Sequence, residues 1–204
     1  MTKHPLGWRT FKQNGLFRSD HNRAQYNACV GDNGGPYDLF DYALGYLEAT
    51  DELLKAVATD KGVTLDIIVY PICLNFRHAI ELFIKYLISD LNKLAKSHSK
   101  FKPTHSLVEN WRVAKKLIKK TKLGIDPKEL EWMTQVIADI MEVDPKGEIF
   151  RYPESIKGDQ HLKEWSHINL AVVGEIFAKT KEIAERWQGK IEDRIEDVIE
   201  RGAN

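Results

Sequence analysis

The chain has 204 residues, 43% of them hydrophobic, which is enough for one domain with a substantial buried core. Its 30 lysines and arginines balance its 30 aspartates and glutamates, so no global field favours a nucleic acid or a membrane surface. Cys29 and Cys73 are the only cysteines, which argues against a disulfide framework or a cysteine zinc site and indicates a reducing, intracellular setting.

The N-terminus has no apolar segment of signal-peptide length. The long apolar stretch at 65–91 contains several ionisable residues, a density that argues against a membrane span. We therefore expect a soluble, cytoplasmic protein.

The first 36 residues show no sustained periodicity and end in the turn-forming sequence GDNGGP. They are rich in aromatic residues, whereas disordered tails usually have few. We predict an irregular N-terminal arm at 1–36 that packs on a helical body at 37–204.

The body begins with two predicted helices. Apolar residues follow helical spacing over 37–59, and the sequence DKG ends that helix. The second helix is predicted from about 64 to 96, and Pro71 near its start predicts a kink.

Two further helices carry local start signals. Ser106 with Glu109 three residues later is typical of a capping box, which predicts a third helix to about 122. Asp126 is a predicted N-cap with Pro127 at the first helical position, so a fourth helix should end near 143.

A long loop and a last helix, at about 161–200, complete the chain. No strand pattern is evident. The predicted fold is all-α: a bundle of about five helices with a long central helix and a long C-terminal helix.

The sequence LNFRHAIELFIKYLI, at 74–88, places ionisable residues in an apolar segment. At 100° per residue, His78, Glu81 and Lys85 share one side of the helix, with Arg77 at its flank. This polar stripe, Arg77, His78, Glu81 and Lys85, has three interpretations. It is the solvent face of a core helix, a buried polar network, or a site that combines a fixed cation with a proton-exchanging histidine.

Ten basic residues against one acidic residue lie within 93–122. Such a stretch suits an RNA backbone, although exposed helices are often lysine-rich and the more acidic segment at 126–159 suits subunit pairing equally well. With the neighbouring stripe and loop, it supplies our candidate RNA contacts: Lys85, Lys100, Lys102, Arg112, Lys115, Lys116 and Tyr152.

The loop sequence EIFRYPES places Arg151 between Phe150 and Tyr152. Either the two aromatic residues anchor the loop on the core, or Arg151 reaches the polar stripe. No phosphate-binding loop, dinucleotide glycine pattern, zinc motif or nucleophile elbow occurs, so no metal or cofactor is expected.

Three segments in order, FRHAIELFIKYLI, THSLVENW and FRYPESIKG, resemble proteins of the bacterial HEPN superfamily. These are small α-helical bundles often found in toxin–antitoxin and antiphage systems, and the resemblance covers about 37–187. Many members are metal-independent ribonucleases, active as dimers whose active sites meet at the interface. The resemblance implies Arg77 and His78 as catalytic residues, with His105 and Arg151 as secondary candidates and Glu81 orienting Arg77 or Lys85.

The usual nuclease signature of that superfamily is Arg, four to six residues, then His. None of the nine arginines of this chain has that spacing. Catalysis would therefore use residues from different helices, or the domain binds a nucleotide or a protein partner without catalysis. We expect an RNA-acting homodimer in phage defence or growth control, with a possible neutralising or defence-system partner protein.

Overall fold

Five α-helices follow one another in the described part of the chain, which confirms the predicted all-α bundle. The computed structural model describes residues 12–31, 33–59, 62, 64–95 and 102–203, and within them no strand forms. The helices are α1 (Leu39–Ala58), α2 (Leu65–Leu94), α3 (Leu107–Thr121), α4 (Pro127–Val143) and α5 (Leu170–Ala203).

The chain divides into two compact units, Met1–Tyr37 and Asp38–Asn204. The first contains one short 3-10 helix, Ala24–Tyr26, and otherwise turns and irregular backbone in its described residues. All five α-helices belong to the second unit. That the arm packs on the body stays a prediction.

Local side-chain hydrogen bonds explain where α1, α3 and α4 begin. Ser106 accepts a hydrogen bond from the N–H of Glu109, and Asp126 accepts one from the N–H of Lys128, as their sequences predicted. A capping box with both of its hydrogen bonds occurs at α1. There the side chains of Asp38 and Asp41 each accept from the other's backbone N–H. These oxygens satisfy N–H groups that have no partner inside the helix.

The start of the last helix differs from the prediction at about residue 161. Helix α5 begins at Leu170, because the Asn169 side chain accepts hydrogen bonds from the N–H groups of Ala171 and Val172. The preceding residues form turns, and Leu162 has a left-handed backbone with φ of +56° that no helix accommodates.

Helix α2 is the central element and packs against α1, α3 and α5. Ile72, Ile80, Ile84 and Leu87 on this helix are almost completely buried. Within the part of the chain that is described, α2 alone has the length and hydropathy of a membrane-spanning helix. The core helix of a soluble protein passes the same test, and the packing of α2 is of that kind.

Two indole N–H groups help to fix α3, α4 and α5 relative to one another. Trp111 of α3 donates to Thr134 of α4 at 3.0 Å. Trp187 of α5 donates to Glu129 of α4 at 2.7 Å, and the rings of Trp111 and Trp187 stack. A buried indole needs such a partner, so these contacts constrain how α3, α4 and α5 pack on one another.

Candidate functional site

The polar stripe of α2 is largely buried, so its interpretation as a solvent face is wrong. Arg77 and Glu81 are 4% and 3% exposed, and Nη1 of Arg77 donates to Oε2 of Glu81 at 3.1 Å. Nε of Arg77 donates to the backbone carbonyl of Asp144 at 3.2 Å and lies 3.3 Å from Oδ2 of the same residue. The guanidinium therefore joins the carboxylates of two elements inside the protein.

The second carboxylate oxygen of Glu81 holds two groups near the surface. Lys85 Nζ donates to Oε1 at 2.8 Å, and Nδ1 of His105 lies 2.9 Å from the same atom. The His105 side chain is 87% exposed. One buried carboxylate thus anchors a cation and an imidazole whose other nitrogen is free to meet a solute.

Whether Glu81 is ionised decides which partner donates in the hydrogen bond between Glu81 and His105. Burial favours the neutral acid, but the hydrogen bond and charge of Lys85, the hydrogen bond of His105 and the charge of Arg77 outweigh it and hold the pKa of Glu81 below its ordinary value. Glu81 is therefore a carboxylate near neutral pH and only accepts. The Nδ1 of His105 must carry the proton, which leaves Nε2 to exchange one.

The loop after α4 covers Arg77. Oδ1 of the fully buried Asp144 accepts hydrogen bonds from the N–H groups of Glu148 and Ile149, which shapes the turn. Gly147 lies so close that a Cβ there would be 2.8 Å from Nη1 of Arg77. Sequence reasoning missed Asp144 and Gly147, whose one signal was a turn sequence, DPKG, at a helix end.

His78 is half-buried, with its ring edge-on against Tyr46 at 4.5 Å between centroids. Burial lowers the pKa of His78 below its ordinary value, the Glu81 charge opposes this, and the charges of Lys85, Arg151 and Arg77 add to the lowering. His78 is therefore neutral near pH 7 and suited to accept a proton. The charge of Arg151 acts on His78, so the loop brings Arg151 within electrostatic range of the stripe.

The basic surface is the exposed side of α3 with its neighbouring residues. It comprises the exposed Lys102, Arg112, Lys116, Lys119 and Lys120 and the half-buried Lys115. Among the described residues none of these six forms an ion pair within the chain. Pairing with the chain's own acidic segment therefore does not neutralise this surface. Tyr152 is 54% exposed and does not anchor the loop, while Lys100 lies outside the described residues.

An apolar pocket of about 300 Å³ lies between α2, α4, α5 and the covering loop. Its wall includes Phe76, Arg77, Ile140, Phe150 and Trp165. Cys73 also lines it, and burial raises the pKa of that thiol to about 12, which makes it a weak nucleophile.

Comparison with known proteins found no match for this chain. No protein-family model matches the chain, and no curated protein or solved structure matches it significantly. Across the residues that are described, no three His, Cys, Asp or Glu side chains come together as a metal site. The function is therefore inferred from the arrangement of the side chains in this site.

The close approach of Gly147 to Arg77 leads to a stability prediction. Gly147→Ala should lower the free energy of unfolding by about 1–3 kcal/mol more than Gly158→Ala does. Both glycines have nearly the same backbone, with φ of +79° and +81°, but nothing lies within 4 Å of the added Cβ at Gly158. Urea denaturation of the two variants isolates the contact with the guanidinium from backbone strain. Equal losses would show that Gly147 does not press on Arg77.

Proposed function

We propose that this protein is a metal-independent ribonuclease in which His105 transfers protons. The observation that carries the proposal is an exposed imidazole held through Nδ1 by the buried carboxylate of Glu81, with Lys85 on the same oxygen atom. A carboxylate in this position holds an imidazole in one tautomer and orientation, as acid–base catalysis requires.

The chemistry is cleavage of RNA by its own 2′-hydroxyl. A neutral imidazole removes the proton of the 2′-hydroxyl, the 2′-oxygen bonds to phosphorus, and the bond from phosphorus to the 5′-oxygen breaks. A protonated group returns a proton to that leaving oxygen, and the products are a 2′,3′-cyclic phosphate and a free 5′-hydroxyl. His105 suits either proton transfer and His78 suits the first, while Lys85 and Arg151 stabilise the charge on the phosphoryl oxygens.

The residues of this site belong to the three segments that resemble the HEPN superfamily. Glu81 lies in the first segment, His105 in the second and Arg151 in the third. His105 contacts the Glu81 carboxylate and the charge of Arg151 acts on the neighbouring His78, which supports a HEPN-like site built from different elements in place of the usual Arg–His signature. On this proposal the protein works in the cytoplasm as a homodimer, in phage defence or toxin–antitoxin-type growth control with a neutralising partner.

The test is a cleavage assay with purified protein, total RNA and a tRNA pool in the presence of EDTA. We expect cleavage in EDTA because no step of the reaction uses a metal, and fragments ending in a 2′,3′-cyclic phosphate because the 2′-oxygen is the nucleophile. A protein that is folded and cleaves nothing, or that cleaves only when a divalent cation is added, would overturn the proposal.

The basic surface leads to a binding prediction. Lys116→Glu should weaken RNA binding and reduce the slope of log Kd against log salt by about one, because each phosphate contact releases condensed counterions. Lys163→Glu makes the same charge change at an exposed lysine in the turns before α5 and should affect binding less. Fluorescence anisotropy with an RNA oligonucleotide at several salt concentrations measures both. An effect of equal size would indicate non-specific attraction.

The second candidate function is a non-catalytic HEPN-like module that binds a nucleotide or a protein. The burial of Arg77 and Glu81 favours it, because buried ion pairs also serve as structural networks. The apolar pocket beside Arg77 has the size and lining of a small-molecule site. Absence of cleavage by the folded protein would favour this module.

A further inference from the structure

A continuous path of contacts leads from the covering loop to His105. Asp144 contacts Arg77 Nε, Arg77 Nη1 donates to one oxygen of Glu81, and the other oxygen of Glu81 accepts from His105 Nδ1. Negative and positive groups alternate along this path. Asp144 is fully buried and 67 residues from Arg77 in sequence, so the contact depends on how the loop folds.

We propose that Asp144 is a positioning residue, which sets the tautomer and orientation of His105 through Arg77 and Glu81. The inference rests on the proposed function of His105 as the proton-transfer group. On this inference the covering loop contributes to the same site through Asp144, which does not contact the RNA.

The geometry of the guanidinium supports this role. Its Nε donates to the backbone carbonyl of Asp144 and lies 3.3 Å from the Oδ2 of that residue, and Gly147 lies against its Nη atoms. These contacts favour the orientation in which Nη1 meets Oε2 of Glu81. A carboxylate fixed through one oxygen presents its other oxygen in a defined direction, which is toward His105 Nδ1.

Asp144 is itself held in place independently of Arg77. Its Oδ1 accepts from two backbone N–H groups of its own loop, so only Oδ2 and the backbone carbonyl face the guanidinium. Asp144→Asn keeps an oxygen for those two N–H groups but presents an amide N–H₂ to Arg77. Two donors then face each other and repel the guanidinium from this position, although the backbone carbonyl of residue 144 still accepts from Nε.

The experiment reads the tautomer of His105 by ¹⁵N NMR of labelled protein without RNA, at a pH where the ring is neutral. In the wild type we expect the proton on Nδ1, because Glu81 only accepts. Asp144→Asn should transfer a large share of the population to the Nε2–H form. Loss of the peak in His105→Gln assigns the signal.

Asp90→Asn is the matched control. Asp90 is 8% exposed and pairs with Lys93 on α2, but no contact joins it to His105. It should leave the His105 signals unchanged. If Asp144→Asn does not fold, Gly147→Ala displaces the same guanidinium without changing any charge and should shift the His105 signals where Gly158→Ala does not.

Kinetics provide a second readout. Asp144→Asn should lower kcat about 10- to 100-fold with KM little changed, because the basic surface that binds the RNA is untouched. A folded Asp144→Asn protein with an unaltered His105 tautomer would overturn this inference even if the wild type cleaves RNA. Absence of cleavage by the wild type would overturn the proposed function, whereas the tautomer shift in Asp144→Asn would still establish the positioning.

Discussion

Arg77→Met is expected to lower the free energy of unfolding by about 3–5 kcal/mol, a large part of the stability of a small domain. Methionine keeps an unbranched stem but removes the guanidinium. The carboxylates of Glu81 and Asp144, both buried, then lose the cation between them. An unpaired buried charge is much more costly than a surface ion pair is favourable. Urea denaturation followed by circular dichroism measures the loss.

Arg112→Met is the matched control, because Arg112 lies on the exposed side of α3. It should change stability by no more than about 0.5 kcal/mol. A double variant, Arg77→Met with Glu81→Gln, should lose less than the sum of its single changes, because the second removes the charge whose Oε2 the first leaves without a partner. A loss below about 1 kcal/mol for Arg77→Met would mean that the guanidinium is well solvated.

His105→Ala is expected to lower the rate of RNA cleavage by about 10²- to 10⁴-fold and to leave the fold intact. The imidazole is the exposed member of the site, and among the described residues its one side-chain hydrogen bond is to Glu81. Its removal takes away proton transfer and little buried surface. Values of kcat/KM with an RNA oligonucleotide, beside the Tm of each protein, separate the two effects.

His167→Ala is the control for His105, since His167 is also exposed and its ring contacts only the neighbouring Ser166 by hydrogen bond. It should retain full cleavage. His78→Ala is informative in another way. Its ring packs against Tyr46, so we expect a lower Tm together with slower cleavage. Full activity in His105→Ala with loss in His78→Ala would transfer the catalytic role to α2.

Features that depend on near neighbours were predictable. Ser106 and Asp126 cap their helices through backbone N–H groups two or three residues away, so the local sequence contains all the information. The contacts of Glu81 with Arg77 and Lys85 are local for the same reason, because each partner lies four residues away on the same helix. The predicted start of α5 was wrong because Leu162 adopts a left-handed backbone in a turn, which a leucine in the sequence does not indicate.

The sequence by itself determined the helical class, the polar side of α2 and a set of candidate residues, because helical periodicity and capping act within one or two turns. Only the tertiary structure decided that this side is buried, that His105 meets Glu81 across 24 residues and that Asp144 meets Arg77 across 67. A helix has the same polar stripe whether water or a loop covers it. The electrostatic energy of a charged side chain depends on whether water or protein surrounds it. Packing between distant segments decides which of the two it is.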